Sequence, residues 1–470
     1  MKHQLLFPFF LIIIFIQSFS LNAQRVNYSE YRFPEVKYKA LQMNEEFVVR
    51  NNIVDDESLA SFNNIFSLSQ DVYENKGNFQ RNVNRTLYSN LSFSKVRNNF
   101  QNFINSNESF RKYNNKNNFF EYGYSGNLNY NKRTKLNPSE YASANVRVPV
   151  KIGHGRIDVL NEVMLSEYII DDLRNEGLIQ DTIGQEILFS FAKEIGQLNF
   201  TRILDSRNFR LQVVRGLSEW IKNNLPVKEG SEIEMTAILL DNYLSALTGF
   251  RTSGNRVAIG LSPAAYYNAD FEGFKSSSIY YGGDLIFEYT IQKPISRYLQ
   301  SNFYGVMNLG ISKSDDYFMG SSISPSKYIN PYAAISYRLG YFPNSRTAIN
   351  ITATIDYNYY KDFNDNEFNF SVKRGEINPR LFIDVAYFIN YRVRLFAIGE
   401  INYYKRFIDE GLISSQYFSD FMPNPFNNLS DWYISRSNDS FLGNRNFTGT
   451  TLANDKISYF FRGGITFNIF

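Results

Sequence analysis

The stretch Arg346–Tyr360, RTAINITATIDYNYY, decides how the rest of the chain is read. Thr347, Ile349, Ile351, Ala353, Ile355, Tyr357 and Tyr359 fall on one face of an extended strand, and Asn350, Thr352, Thr354, Asp356 and Asn358 on the other. Side chains alternate across a strand, so one face is apolar with an aromatic end and the other is wet. A globular strand usually has about five or six residues, and this one is longer. It suits a tilted membrane-crossing strand of roughly nine to eleven residues plus aromatic flanks. The same pattern recurs through the C-terminal half, at roughly 257–269, 279–291, 299–312, 333–342, 381–389, 393–404 and 457–470. The expected fold is an all-β transmembrane antiparallel barrel.

Composition agrees with that expectation. Aromatic residues make up 17% of the chain, with Phe 43, Tyr 34 and Trp 2, yet mean hydropathy is −0.34. A barrel reconciles the two, placing rings in outward girdles around a polar interior. The formal charge is +3, from 49 basic and 46 acidic residues, so no nucleic acid or other polyanion is implied. With Cys 0, a disulfide framework, a thiolate metal site and a lipidated N-terminal cysteine are excluded.

Residues 1–23 read as a secretory signal peptide, with Lys2 as its positive start, LLFPFFLIIIFI as its core and cleavage after Ala23 or Ser20. That apolar run is shorter than the roughly 20 residues a spanning helix needs. Residues 24–60 are polar and weakly patterned and read as a periplasmic segment that tucks into the barrel mouth. Residues 61–153 hold four expected strands, near 62–73 (weak, with a helical alternative), 87–95, 120–130 and 141–150. Residues 250–470 hold eight more, giving about 12, an even number as such barrels require. Tight turns at 293–296, 343–345 and 390–392 alternate with long connections at 313–327, 361–380 and 407–456, the asymmetry of periplasmic turns and external loops.

Between these blocks the period changes. Residues 154–249 read as an inserted periplasmic domain of about four helices. Asp158 and Asp181 are expected caps of the first two, and Ser231-Glu232-Ile233-Glu234 has the capping-box pattern for the fourth. At about 90 residues the insert is far longer than an ordinary connection, so a role of its own is implied. It could gate the barrel, plug it, or recruit a periplasmic protein through 157–247.

By signal segment, amphipathic strands and the final run ISYFFRGGITFNIF, the chain resembles Gram-negative outer-membrane β-barrel proteins of porin-like architecture. In that class a terminal aromatic residue is read by the barrel insertion machinery; here Phe470 lies out of step with Ile465, Phe467 and Ile469. The resemblance implies an outer-membrane location, a lipid surround and the insertion machinery as a partner.

No chemistry is written in the sequence. His154 is the single imidazole after the signal, within GHGR, a strand–helix boundary without the spacing of a nucleotide-binding glycine motif. Asp362-Asn364-Asn366 begins like a calcium loop, but Glu367 stands where glycine is required, so a solvated turn is favoured. The chain is therefore not expected to be an enzyme, and no metal or cofactor is implied. The stronger lead is the set of inward-facing charges expected to line the lumen: Glu121, Asp284, Glu288, Asp356, Asp384 and Glu400 against Arg147, Arg338, Arg394 and Arg462. They either create a transverse field across a pore or zip it shut. Tyr417, Phe421, Trp432 and Tyr433 mark an aromatic external loop that either packs on itself or offers stacking faces to a ligand. The expected function is an outer-membrane pore or transport protein passing small polar solutes or an exported polymer. The alternative is a non-conducting structural component with a plugged lumen.

Overall fold

The computed structural model describes residues 26–409 and 456–467, apart from breaks at 33–34, 55–56, 95–96, 115–116, 136–137, 180–182, 200–205, 246–250, 273–274, 319–320, 364–372 and 391–392. The signal segment lies outside the described residues. So does the aromatic loop with Tyr417, Phe421, Trp432 and Tyr433.

The chain forms one antiparallel sheet with fourteen strand positions, an arrangement compatible with a β-barrel. Six precede the helices: β1 (Val36–Val54), β2 (Glu57–Lys76), β3 (Phe79–Ser94), β4 (Arg97–Tyr113), β5 (Asn118–Lys135) and β6 (Ser139–Arg147). The sixth position continues past Pro149 as β7 (Val150–His154) and β8 (Ile157–Val159). Eight follow: β9 (Thr252–Asp270), β10 (Ser276–Pro294), β11 (Leu299–Phe318), β12 (Ser321–Asn344), β13 (Thr347–Phe363), β14 (Lys373–Asn390), β15 (Val393–Asp409) and β16 (Lys456–Phe467).

Fourteen corrects the expected twelve. Val36–Val54, within the weakly patterned segment 24–60, pairs with β2 along its whole length. Arg97–Tyr113 is a complete strand between β3 and β5 that no expected strand covered. The segment near 62–73 is extended, not helical. The connection at 313–327 is largely strand, because β11 and β12 stay paired out to Phe318 and Ser321.

Four helices pack beside the sheet: α1 (Asn161–Asn175), α2 (Gln185–Asn199), α3 (Ser206–Asn224) and α4 (Glu232–Ser245). None in the described residues is long and apolar enough to cross a membrane. Their apolar stripes meet in one core, with Leu160, Ile169, Leu173, Phe191, Leu217 and Leu239 fully buried. Burying each such side chain contributes roughly 1.5–3 kcal/mol. The segment before β1 joins this core through Val26, Tyr28 and Tyr31 and pairs with the sheet through Arg32 and Asp158. Asp158 does not cap α1: the N-cap position is Leu160, and Asp158 accepts from Arg156 and pairs with Arg32.

Along most of the sheet the usual partition of a protein is inverted. Leu261, Leu285, Met307, Ile335, Ile351 and Ile383 are exposed, while Ser262, Asp284, Asn308, Asn350 and Thr352 on the opposite face are buried. The apolar face of the strands is the exposed one and the polar face is the buried one.

Candidate functional site

The buried polar face carries a continuous ion-pair chain across four strand segments, with a separate pair beside it. Arg111 on β4 stands opposite Glu121 on β5, and the two form a charge-assisted pair. Lys151 on β7, opposite Glu121, donates to it at 2.9 Å and to Glu288 on β10 at 2.9 Å. Beside it Arg147 on β6 pairs with Asp284 on β10 at 3.1 Å. Both reaches to β10 pass over β9, where the inward residues are small.

Gly260 is the key to that passage. It stands opposite Lys151, and a Cβ added to it would lie 2.1 Å from the Val150 carbonyl oxygen and 2.6 Å from Lys151 Cγ. Only glycine leaves room for the lysine stem. The side chains of Lys151 and Glu288 are just 4% and 2% exposed. A lone charge at such depth is costly, so the alternation of sign along the chain is what makes its burial tolerable.

The sequence-derived lumen candidates distribute plainly. Glu121, Arg147, Asp284 and Glu288 come together in this network. Arg338 donates to Asn350, which donates to Asp384 at 2.9 Å, and Arg380 pairs with Asp356 at 3.0 Å. Glu400 lies on the same face of β15 as the buried Ile398, opposite Phe382 and Phe460. Arg394 and Arg462 are on described strands, in the register of that face. These ion pairs join neighbouring or next-but-one strand positions, so they run along the sheet.

A second constellation seats the helical domain against the short turns. Arg251, immediately before β9, sends Nη1 to the Arg297 carbonyl (2.7 Å), Nη2 to that of Ser296 (2.9 Å) and its plane over the Phe342 ring at 4.4 Å. Its burial pulls the guanidinium below its usual range, against the electron-rich Tyr168 and Tyr28 nearby. Tyr168 on α1 places its hydroxyl against the Phe342 carbonyl (2.7 Å) and that of Arg297 (3.2 Å), and burial pushes the phenol up to about 12. Asp171–Arg297 and Asp241–Arg346 add ion pairs from α1 and α4 to the same turns.

At the other junction Arg156 reaches the Gly77 carbonyl in the β2–β3 turn and Asn75 at 3.0 Å, and stacks on Tyr113. Gly155, with φ +97, makes the bend that aims it, and a Cβ there would sit 2.1 Å from the Asn255 carbonyl oxygen. His154 is exposed and bonds Asn118 through Nδ1 at 2.7 Å. An arginine thus stands on each side of the insert, gripping turns at one end of the sheet.

Sequence reasoning missed Arg111, Lys151 and Gly260, as well as Arg156 and Arg251. Lys151 was within reach of it: continuing the alternation of 141–150 by one residue puts Lys151 inward beside Arg147. The clamp arginines had no such signal, because their partners are turn carbonyls. The sequence matches no known protein family and no curated protein.

Proposed function

We propose that the sheet closes as a membrane-spanning barrel that passes polar solutes or an exported polymer, and that the helical domain gates it from the short-turn side. The observation that carries this reading is the inverted partition: exposed rows of Ile, Leu, Tyr and Phe on one face, an ion-paired buried face behind them. Water would penalise that outward surface, whereas hydrocarbon favours it. Export by the N-terminal segment and an outer-membrane location belong to the same proposal, as does recruitment of a periplasmic partner by the helices.

One observation favours a second reading. The depth of Lys151 and Glu288 fits a lumen filled with its own side chains, hence a non-conducting component. Conductance in planar bilayers separates the two. The gating reading expects few openings from the full chain and frequent ones from an Arg251→Ala, Tyr168→Phe variant with a loosened clamp. Silence from both proteins, each verified as inserted, would sink the conduit and leave the second reading.

A further inference from the structure

On the outward face, β1 to β5 depart from the rest of the sheet. On β10 the outward residues leading away from its short turn are Ile291, Tyr289, Phe287 and Leu285, all apolar. On the first strands charged residues enter the equivalent positions. Register aligns them in rows: Lys37, Glu74, Arg81, Phe110 and Tyr122, then Lys39, Val72, Val83, Glu108 and Tyr124, then Leu41, Gln70 and Arg85. The next row, Met43, Leu68, Leu87, Ile104 and Leu128, is wholly apolar.

The charged part is a built structure. Glu108, its side chain 5% exposed, accepts from Arg81 Nε at 2.8 Å and from Arg85 Nη2 at 3.2 Å. Arg81 lies over the Phe110 ring at 5.1 Å, Phe110 stacks on Tyr122 at 5.0 Å, and Arg85 reaches the Tyr124 hydroxyl at 3.2 Å. Glu74 is held by Lys76 at 3.0 Å and Lys37 at 3.8 Å. With Glu35, which accepts from the Gly77 N–H, three carboxylates stand against five basic groups, Lys39 being the fifth, and the surplus is exposed.

We infer that this sector binds the headgroup of an anionic phospholipid in the leaflet on the short-turn side. The inference rests on the membrane-spanning reading above. The phosphate meets Lys37, Lys39 and the two arginines that Glu108 holds in place. The first carbons of the acyl chains meet the apolar row of Met43, Leu87, Ile104 and Leu128, which lies directly beyond the charged rows and before the mixed row of Glu45, Phe66, Ser89, Asn102 and Tyr130. A second copy of this chain is a poor occupant, because a two-fold contact would set two basic surpluses face to face.

Native mass spectrometry of the full-length protein in detergent tests this, with phosphatidylglycerol, phosphatidylcholine and inorganic phosphate as probes. The expected result is about tenfold preferential retention of phosphatidylglycerol, as several basic groups near a headgroup imply. The preference disappears in Lys37→Gln, Lys39→Gln and separately in Arg85→Gln, with the fold checked by circular dichroism; the lysine pair is exposed and decides the matter if Arg85→Gln misfolds. Equal retention of the two lipids, an unchanged preference in the lysine variant, displacement by phosphate alone, or a lipid-free dimer overturns the proposal. Carbonate-resistant insertion into vesicles is measured in parallel. Insertion without lipid preference removes this site alone, while failure of the unaltered chain to insert removes the membrane reading beneath it.

Discussion

Glu162, in the first turn of α1, is buried, and its Oε2 has no hydrogen-bond partner among the described residues. Burial raises its carboxyl to about 7, against the softer opposing pull of its own backbone N–H. The folded state therefore holds this proton more tightly than the unfolded chain does. Stability is fully present below about pH 4.5 and falls as pH rises towards 7, by roughly 3 kcal/mol for a shift of this size. Glu162→Gln keeps the neutral form at every pH, so the helical melting transition at pH 8 should move up and its slope between pH 5 and 7 should flatten; an unaltered slope would refute the assignment. The other buried chain offers a sharper test. Lys151→Met removes the cation shared by Glu121 and Glu288 and leaves Glu121 to Arg111, an expected cost of about 3–5 kcal/mol in denaturant unfolding. Gly260→Ala should cost about 1–3 kcal/mol by closing the passage over β9, with the lysine still present. At this scale Glu121, Asp284 and Glu288 were legible because their neighbours alternate cleanly. Arg111 was hidden with its whole strand.

That strand shows where pattern reading fails for elements. In Arg97–Tyr113 the outward positions Phe100, Ile104 and Phe110 are interrupted by Asn102, Ser106 and Glu108, so period two carries no hydropathy contrast. β1 fails likewise, its outward row passing from Lys37 and Lys39 to Leu41 and Met43. Both belong to the sector with outward charge, and the feature that gives that face its chemistry also erased its signature. The helices were legible because most of their core comes from their own apolar stripes. Leu173→Ala, removing a fully buried side chain between the helices, should cost about 2–5 kcal/mol in the helical transition. Amide exchange along β9 to β13 should stay unchanged, since the core around Leu173 draws on the helices and the segment before β1. Loss of protection in those strands would mean that helices and sheet fold as one unit.

For the whole molecule, strand number and the direction of the apolar face set different consequences. Two extra positions beyond twelve widen a closed sheet, since diameter grows with strand number. In the barrel proposed above, that extra width would give the buried charge chain a wall to lie along without bridging to the far side. The outward direction decides whether any of this matters in a membrane, and it can be measured one residue at a time. Leu309 is exposed and sits between strands β10 and β12 in the outward rows, whereas its neighbour Asn308 is buried on the other face. With Trp220 and Trp432 replaced by Phe, Leu309→Trp should be strongly quenched by brominated acyl chains after reconstitution. A tryptophan at Asn308, if the fold accepts it, should keep its emission, because alternation turns it from the lipid. Quenching at neither position would leave the rows of isoleucine and tyrosine facing something other than hydrocarbon, and the barrel, the conduit and the lipid site would lose their common support.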